Sequence, residues 1–252
     1  MIHLLAVSAF TLIGARQQNV PTRTVILHEQ LACAPASLPT PPLAGIRIVG
    51  GYEPGRMMFG PGDPIVIDAG SSQGVMPGQM FFVRRALRGR YTPAAADFQP
   101  NPVHTTGWVT VQTVAEHTAI ARVTHACDGM LLGDYLEPYV DPAEPPNALQ
   151  GAPDFEHPGR VVMADEERQM GSEGSLMLID RGTDHEVRAG QTLTIYRQTL
   201  GGVGPTFIVG SATVLSVRPQ TSLVRIENTH DAVYLGDFVA INRITPAPQN
   251  GG

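Results

Sequence analysis

The chain has 252 residues, 42% hydrophobic and 16% charged, with 27 glycines and 22 prolines and a formal charge of −6. That length suits one large or two small domains, and the turn-rich, charge-poor composition excludes collagen, coiled coil and wholesale disorder in favour of short strands joined by tight turns. All seventeen basic residues are Arg; the acidic balance argues against nucleic acid as a partner, because neutralising phosphates needs a basic surface.

Residues 1–15 (MIHLLAVSAFTLIGA) hold an apolar run of secretory h-region length ending in small Gly14 and Ala15. They are expected to form a signal peptide, too short to span a bilayer, so no stable membrane span is expected in the mature chain. Residues 16–46 read as a Pro-rich leader with one possible strand at 24–31 (TVILHEQL). Cys33 in this leader and Cys127 lie too far apart to match a zinc or redox spacing. In an exported chain they can close a single disulfide; otherwise they are two small hydrophobes.

An internal repeat organises the remainder of the chain. Residues 56–85 and 168–197 coincide without a gap at an offset of 112, matching Arg56/Arg168, Ile67/Ile179, Asp68/Asp180, Gly70/Gly182, Gly78/Gly190, Gln79/Gln191 and Arg85/Arg197. A second block at an offset of 103 pairs Asp128, Leu132, Gly133 and Asp134 with Asp231, Leu235, Gly236 and Asp237. The difference is absorbed by residues 86–106, rich in Pro, Ala, Asn and Arg, which read as a surface loop. The boundaries are repeat one at 47–140, a Pro-rich linker at 141–158, repeat two at 159–244 and a flexible tail at 245–252.

Within each copy the apolar runs are four to eight residues long and bounded by Gly, Pro or Asp, so they predict strands. No stretch carries a convincing helical stripe; residues 165–170 are the best candidate and are too short to nucleate alone. Comparison of the copies assigns faces: Phe81 and Val83, with Leu193 and Ile195, point inward, leaving Phe82 half exposed. Ala119, Ala121 and Val123 match Ser222, Val224 and Ile226 inward, with Arg122 and Arg225 on the outer phase. Asp68, Gly70, Gly78, Gly133 and Asp134, with Asp180, Gly182, Gly190, Gly236 and Asp237, are structural turn residues. Asp68 and Asp180 are expected to accept from turn amides, and Gly70 and Gly182 to supply positive φ. Five or six strands in each copy predict an all-β protein of two tandem small barrels, the economical way to hide sheet edges.

The pattern I-D-x-G-x4-V-x2-G-Q-x-(F/L)-x-(V/I)-x-R, followed by V-x2-V and a terminal L-G-D, resembles the C-terminal domain of the bacterial flagellar assembly protein T. It is also similar to repeats appended to LysM modules in secreted bacterial proteins. The resemblance covers about two thirds of the chain and implies small periplasmic β barrels used as envelope scaffolding, with no catalytic residues to carry over. This chain has Gly78-Gln79 and Gly190-Gln191 where such repeats often have Gly-Asp, and Glu186 stands where copy one has Gly74.

Other motifs read as structure. Residues 47–53 (RIVGGYE) look like a trypsin-type activation site, but the Gly-Asp-Ser-Gly and Ala-Ala-His segments are absent, and copy two sets Val161 opposite Val49 in an ordinary strand. Residues 70–74 fit G-x-S-x-G, yet another strand follows where the nucleophile elbow needs a helix. A hydrolase in a cleft between the repeats would have only Ser72, His104 or His125 and Asp68 to work with. His125, Cys127 and Asp128 are the densest ligand group together with Asp184, His185 and Glu186, but without a second cluster no metal site is assigned. Arg84, Arg88, Arg90 and Tyr91, with Trp108, form the one basic aromatic patch, able to grip an acidic glycan or a partner. The expectation is a non-enzymatic periplasmic or secreted envelope protein, without cofactor, whose partner is another envelope protein or peptidoglycan.

Overall fold

The structure, a computed structural model, describes residues 22–38, 45–86, 101–143, 147–164, 168–198 and 204–243, without the side chains of 22–27, 38, 101 and 102. The expected signal peptide and the tail lie outside the described residues. Among the described residues no helix is long and apolar enough to cross a membrane.

A seven-stranded barrel-like sheet is followed by a closed six-stranded barrel. In the first, β2 (Ile48–Gly51), β4 (Pro64–Ile67), β7 (Ala119–Ala126), β6 (Asn101–Val114), β5 (Met80–Ala86) and β9 (Tyr135–Pro138) are neighbours in that order. The sheet curls until its ends meet: Arg47 bridges Tyr135, and the Ile48 amide donates to the Asp134 carbonyl at 3.0 Å. The second barrel closes fully, in the equivalent order β10 (Ala152–Ala164), β12 (Leu176–Ile179), β15 (Ser222–Thr229), β14 (Thr206–Val217), β13 (Thr192–Gln198) and β17 (Phe238–Arg243). Two short ribbons cap the barrels, β3 (Met58–Phe59) with β8 (Met130–Leu131) and β11 (Met170–Gly171) with β16 (Val233–Tyr234). Closure satisfies the strand backbone without leaving long free edges.

Alternation sends one set of side chains inside. Ile65, Ile67, Phe81, Val83, Val109, Ala121 and Val123 fill the first barrel; Met177, Ile179, Leu193, Ile195, Val214, Val224 and Ile226 fill the second. The caps differ by a compensating exchange. Phe59 plugs the first barrel, and a Cβ on Gly51 would run into its ring; the second barrel has Gly171 in place of the Phe and tolerates Ala164 in place of Gly51. The second glycine of the RIVGGYE segment is therefore a packing residue.

Several expectations need correction. Val161 pairs with Ile179 and Ile48 with Ile67, so Val161 answers to Ile48 and not to Val49. Val49 is 52% exposed while Ile48 and Val161 are buried, the reversal of faces that a one-residue slip produces. Residues 24–31 are not a strand but part of a helix, α1 (Thr22–Cys33), which satisfies its own backbone and needs no partner strand. It is followed by a short strand, β1 (Ala36–Leu38), on β6. The linker boundary also moves, because β10 starts at Ala152 and pairs Ala152 with Arg243. Likewise residues 101–106 are strand rather than loop, with His104, Thr105 and Thr106 buried. Of residues 165–170, the best helical candidate in the sequence, Met170 begins β11 and 165–167 lie outside the described residues.

Candidate functional site

The polar residues repeated in both copies hold turns. Arg85 clamps Asp134 with two hydrogen bonds, Nε to Oδ1 at 2.9 Å and Nη2 to Oδ2 at 2.8 Å, and also donates to the Gly129 carbonyl. Arg197 repeats this on Asp237 at 2.7 and 2.8 Å and on the Ala232 carbonyl. Each aspartate, nearly inaccessible, accepts in addition the amide of Leu131 or Tyr234. Charge-assisted forks of this kind fix geometry as well as adding energy. Gly133 and Gly236, like Gly78 and Gly190, take positive φ in these turns.

Asp68 and Asp180 accept the amides of Arg47, just before β2, and Arg160, within β10, at 2.5 and 2.6 Å, rather than the amides of their own turns. Gly70 and Gly182 are extended, with φ −138 and −142. Their glycine is required by close approach: a Cβ at Gly70 would collide with the carbonyls of Ala115 and Glu116, and one at Gly182 with those of Arg218 and Pro219. Positive φ falls four residues later, on Gly74 and on Glu186 at φ 62.

The copies also differ on the outside, and there a strap made of α1 and β1 lies between them. On barrel one, Ala32 packs with Phe82 and Trp108, flanked by Cys33, Cys127, Met80 and Tyr139. Phe82 is thus buried at 6% exposure, not half exposed. On barrel two, Ala34 and Leu31 pack on Val162, Met163, Leu176, Leu178, Leu215 and Leu223. At several matched positions the other copy is polar or small: Thr194 and Ser211 stand where barrel one has Phe82 and Trp108, and Gly50 and Gln112 where barrel two has Met163 and Leu215, while Val49, Val66 and Ile120 keep the apolar character of Val162, Leu178 and Leu223. Thr105 donates to the Ala34 carbonyl at 3.1 Å, and a disulfide joins Cys33 to Cys127.

A cavity of about 360 Å³ remains beside the strap, lined by Leu31, Phe82, Arg84, Glu137, Leu215 and Arg218 among others. Arg84 is buried; its guanidinium covers the Phe82 ring at 4.4 Å, donates to Thr105 and reaches Glu137 at 3.4 Å. Burial lowers its pKa against the pull of Glu137. Tyr135 has a buried hydroxyl without a hydrogen-bond partner among the described residues, and burial raises its pKa.

The basic aromatic patch is not assembled as expected. Arg84 enters the inter-barrel cavity, whereas Trp108 lies under the strap, stacked on His125 with centroids 4.3 Å apart. Arg88, Arg90 and Tyr91 lie outside the described residues. Nor do the hydrolase candidates converge. Ser72 bonds to Gln73, the Glu116 carbonyl and His117, His104 bonds to Asp128, His125 stacks on Trp108, and Asp68 holds the Arg47 amide. Ser72 Oγ sits 3.2 Å from His117 Nδ1, a pairing that no sequence spacing announces, but the hydroxyl is directed to the Glu116 carbonyl at 2.6 Å on an exposed turn.

Local sequence pattern also assigns no role to α1, Glu137 or Arg218. The signal that could have found them is the change of polarity at matched outer positions. A scan against protein-family models finds no match to this chain, and a search of the curated proteins finds none.

Proposed function

We propose that the protein is a non-enzymatic, exported component of a bacterial cell envelope, in which two duplicated barrels are joined into one rigid unit that binds another envelope protein. The observation carrying this reading is the use of the distinctive residues. The charged forks shared by the copies hold turns, and Phe82, Trp108, Met163 and Leu215, which the other copy replaces with polar or small residues, seat the strap. The Cys33–Cys127 disulfide supports an oxidising compartment, where such bonds persist. The scaffolding role implied by the resemblance of the repeats agrees with both. Trp108, covered by the strap, does not favour a stacking platform for peptidoglycan sugars.

The test is fractionation of cells expressing a C-terminally tagged full chain, with mass spectrometry of its amino terminus and thiols and crosslinked copurification. The expected result is an oxidised protein in the envelope or medium fraction with a crosslinked envelope partner. A reduced protein confined to the cytosol with Met1 intact would overturn the reading.

A further inference from the structure

We propose that the strap cluster is a redox-gated metal site: once the disulfide opens, Cys33, Cys127 and His125 hold a zinc-class divalent cation, with Glu29 as the fourth ligand. The linear sequence supplies only His125, near the end of β7, and Cys127 just beyond it. Folding brings Cys33 and Glu29 to them from the helix. The ligand atoms of Cys33, Cys127 and His125 all lie within 4.8 Å of one another, and all three residues are half-buried, open to a small reductant or an aqueous ion. Glu29 Oε1 stands 4.0 Å from His125 Nδ1. Stacking on Trp108 fixes the imidazole plane, so the ring is held beside the sulfurs before any ion arrives.

Two thiolates, an imidazole and a carboxylate are each zinc ligands, and together they supply the four donors of a tetrahedral site. The disulfide form cannot offer it, because the thiolate is the ligand. Opening is a two-electron reduction. With a phosphine reductant, phosphorus supplies the electron pair and takes the oxygen of one water, while the two protons of that water end on Cys33 and Cys127. Metal binding then releases the two thiol protons to solvent. Oxidation to the disulfide and metal loading therefore exclude each other, and the same helix stays tethered to barrel one in either state.

The full chain is reduced with a phosphine without oxygen and titrated with cobalt(II), followed by zinc competition; circular dichroism monitors folding. Expected are thiolate-to-cobalt charge-transfer bands and tetrahedral d–d bands saturating at one equivalent and abolished by zinc, with none in the oxidised protein. His125→Ala, which keeps both cysteines, weakens binding at least about tenfold. Zinc is also expected to raise the melting temperature of the reduced protein and leave the oxidised protein unchanged. The proposal is overturned if the reduced, folded wild type shows no charge-transfer band, if His125→Ala binds as tightly, or if the reduced chain stays unfolded with zinc. None of these outcomes bears on export, so this site and the envelope reading fail independently.

Discussion

At the equivalent turn of the two copies, Gln73 and His185 do the same work by different chemistry. The Gly70 amide donates to Gln73 Oε1 at 2.9 Å, and the Gly182 amide donates to His185 Nδ1 at 3.3 Å. Only a neutral imidazole can accept there, and its pKa is lowered by burial and by Arg181. A base depressed in the folded state binds protons more readily when unfolded. Its contribution is therefore complete above the ordinary histidine value of about 6.5 and is lost as pH falls through that window. His185→Gln should flatten the dependence of stability on pH below about 6.5 in denaturant titrations. Glu186, next in the chain, holds the left-handed backbone that Gly74 holds in copy one. Glu186→Gly should stabilise by about 1 kcal/mol, since its contact with Arg243 at 3.3 Å is exposed and worth little. Asp134→Asn or Asp237→Asn should each cost about 2 kcal/mol by breaking a fork to a charged partner.

Among the elements, the strap carries most of what distinguishes this chain from two independent barrels. Leu215 lies in the leucine face under α1, at a position where copy one has Gln112. Leu215→Gln should destabilise by about 1–3 kcal/mol, because the amide is buried in an apolar face. The unfolding midpoint in urea should shift with little change in slope. The disulfide acts on the same element from the other side. Cys33→Ser should lower stability by about 2–4 kcal/mol, the range for closing a long loop, in equilibrium unfolding under oxidising conditions.

For the whole molecule, the strap packs against both barrels, so neither can lose it without exposing apolar surface on the other. The oxidised protein should therefore unfold in one calorimetric transition. In the Cys33→Ser, Leu215→Gln double variant the transition should split into two, one for each barrel. A split already present in the wild type would refute the idea that the strap couples them.

Much of the architecture was legible in the sequence because duplication supplies its own comparison. Matched glycines and aspartates located the turns, and matched apolar positions placed Phe81 and Leu193, Val83 and Ile195 inside their barrels. What a single chain cannot state is which residues distant along it meet. Register at β2 depended on pairing with β4, so alignment alone misplaced Val161 by one position. The turn glycines Gly70 and Gly182 looked like backbone devices, but only the approach of a neighbouring hairpin explains them. Local pattern likewise favoured a strand for 24–31, whereas the segment is a helix packed against both barrel-like sheets. Strand period and turn chemistry are local properties, so the unfolded string of residues already specifies two all-β units built from one pattern. Burial and long-range proximity belong to the folded chain, and there alone the units are joined and Cys33, Glu29, His125 and Cys127 come to share one cluster.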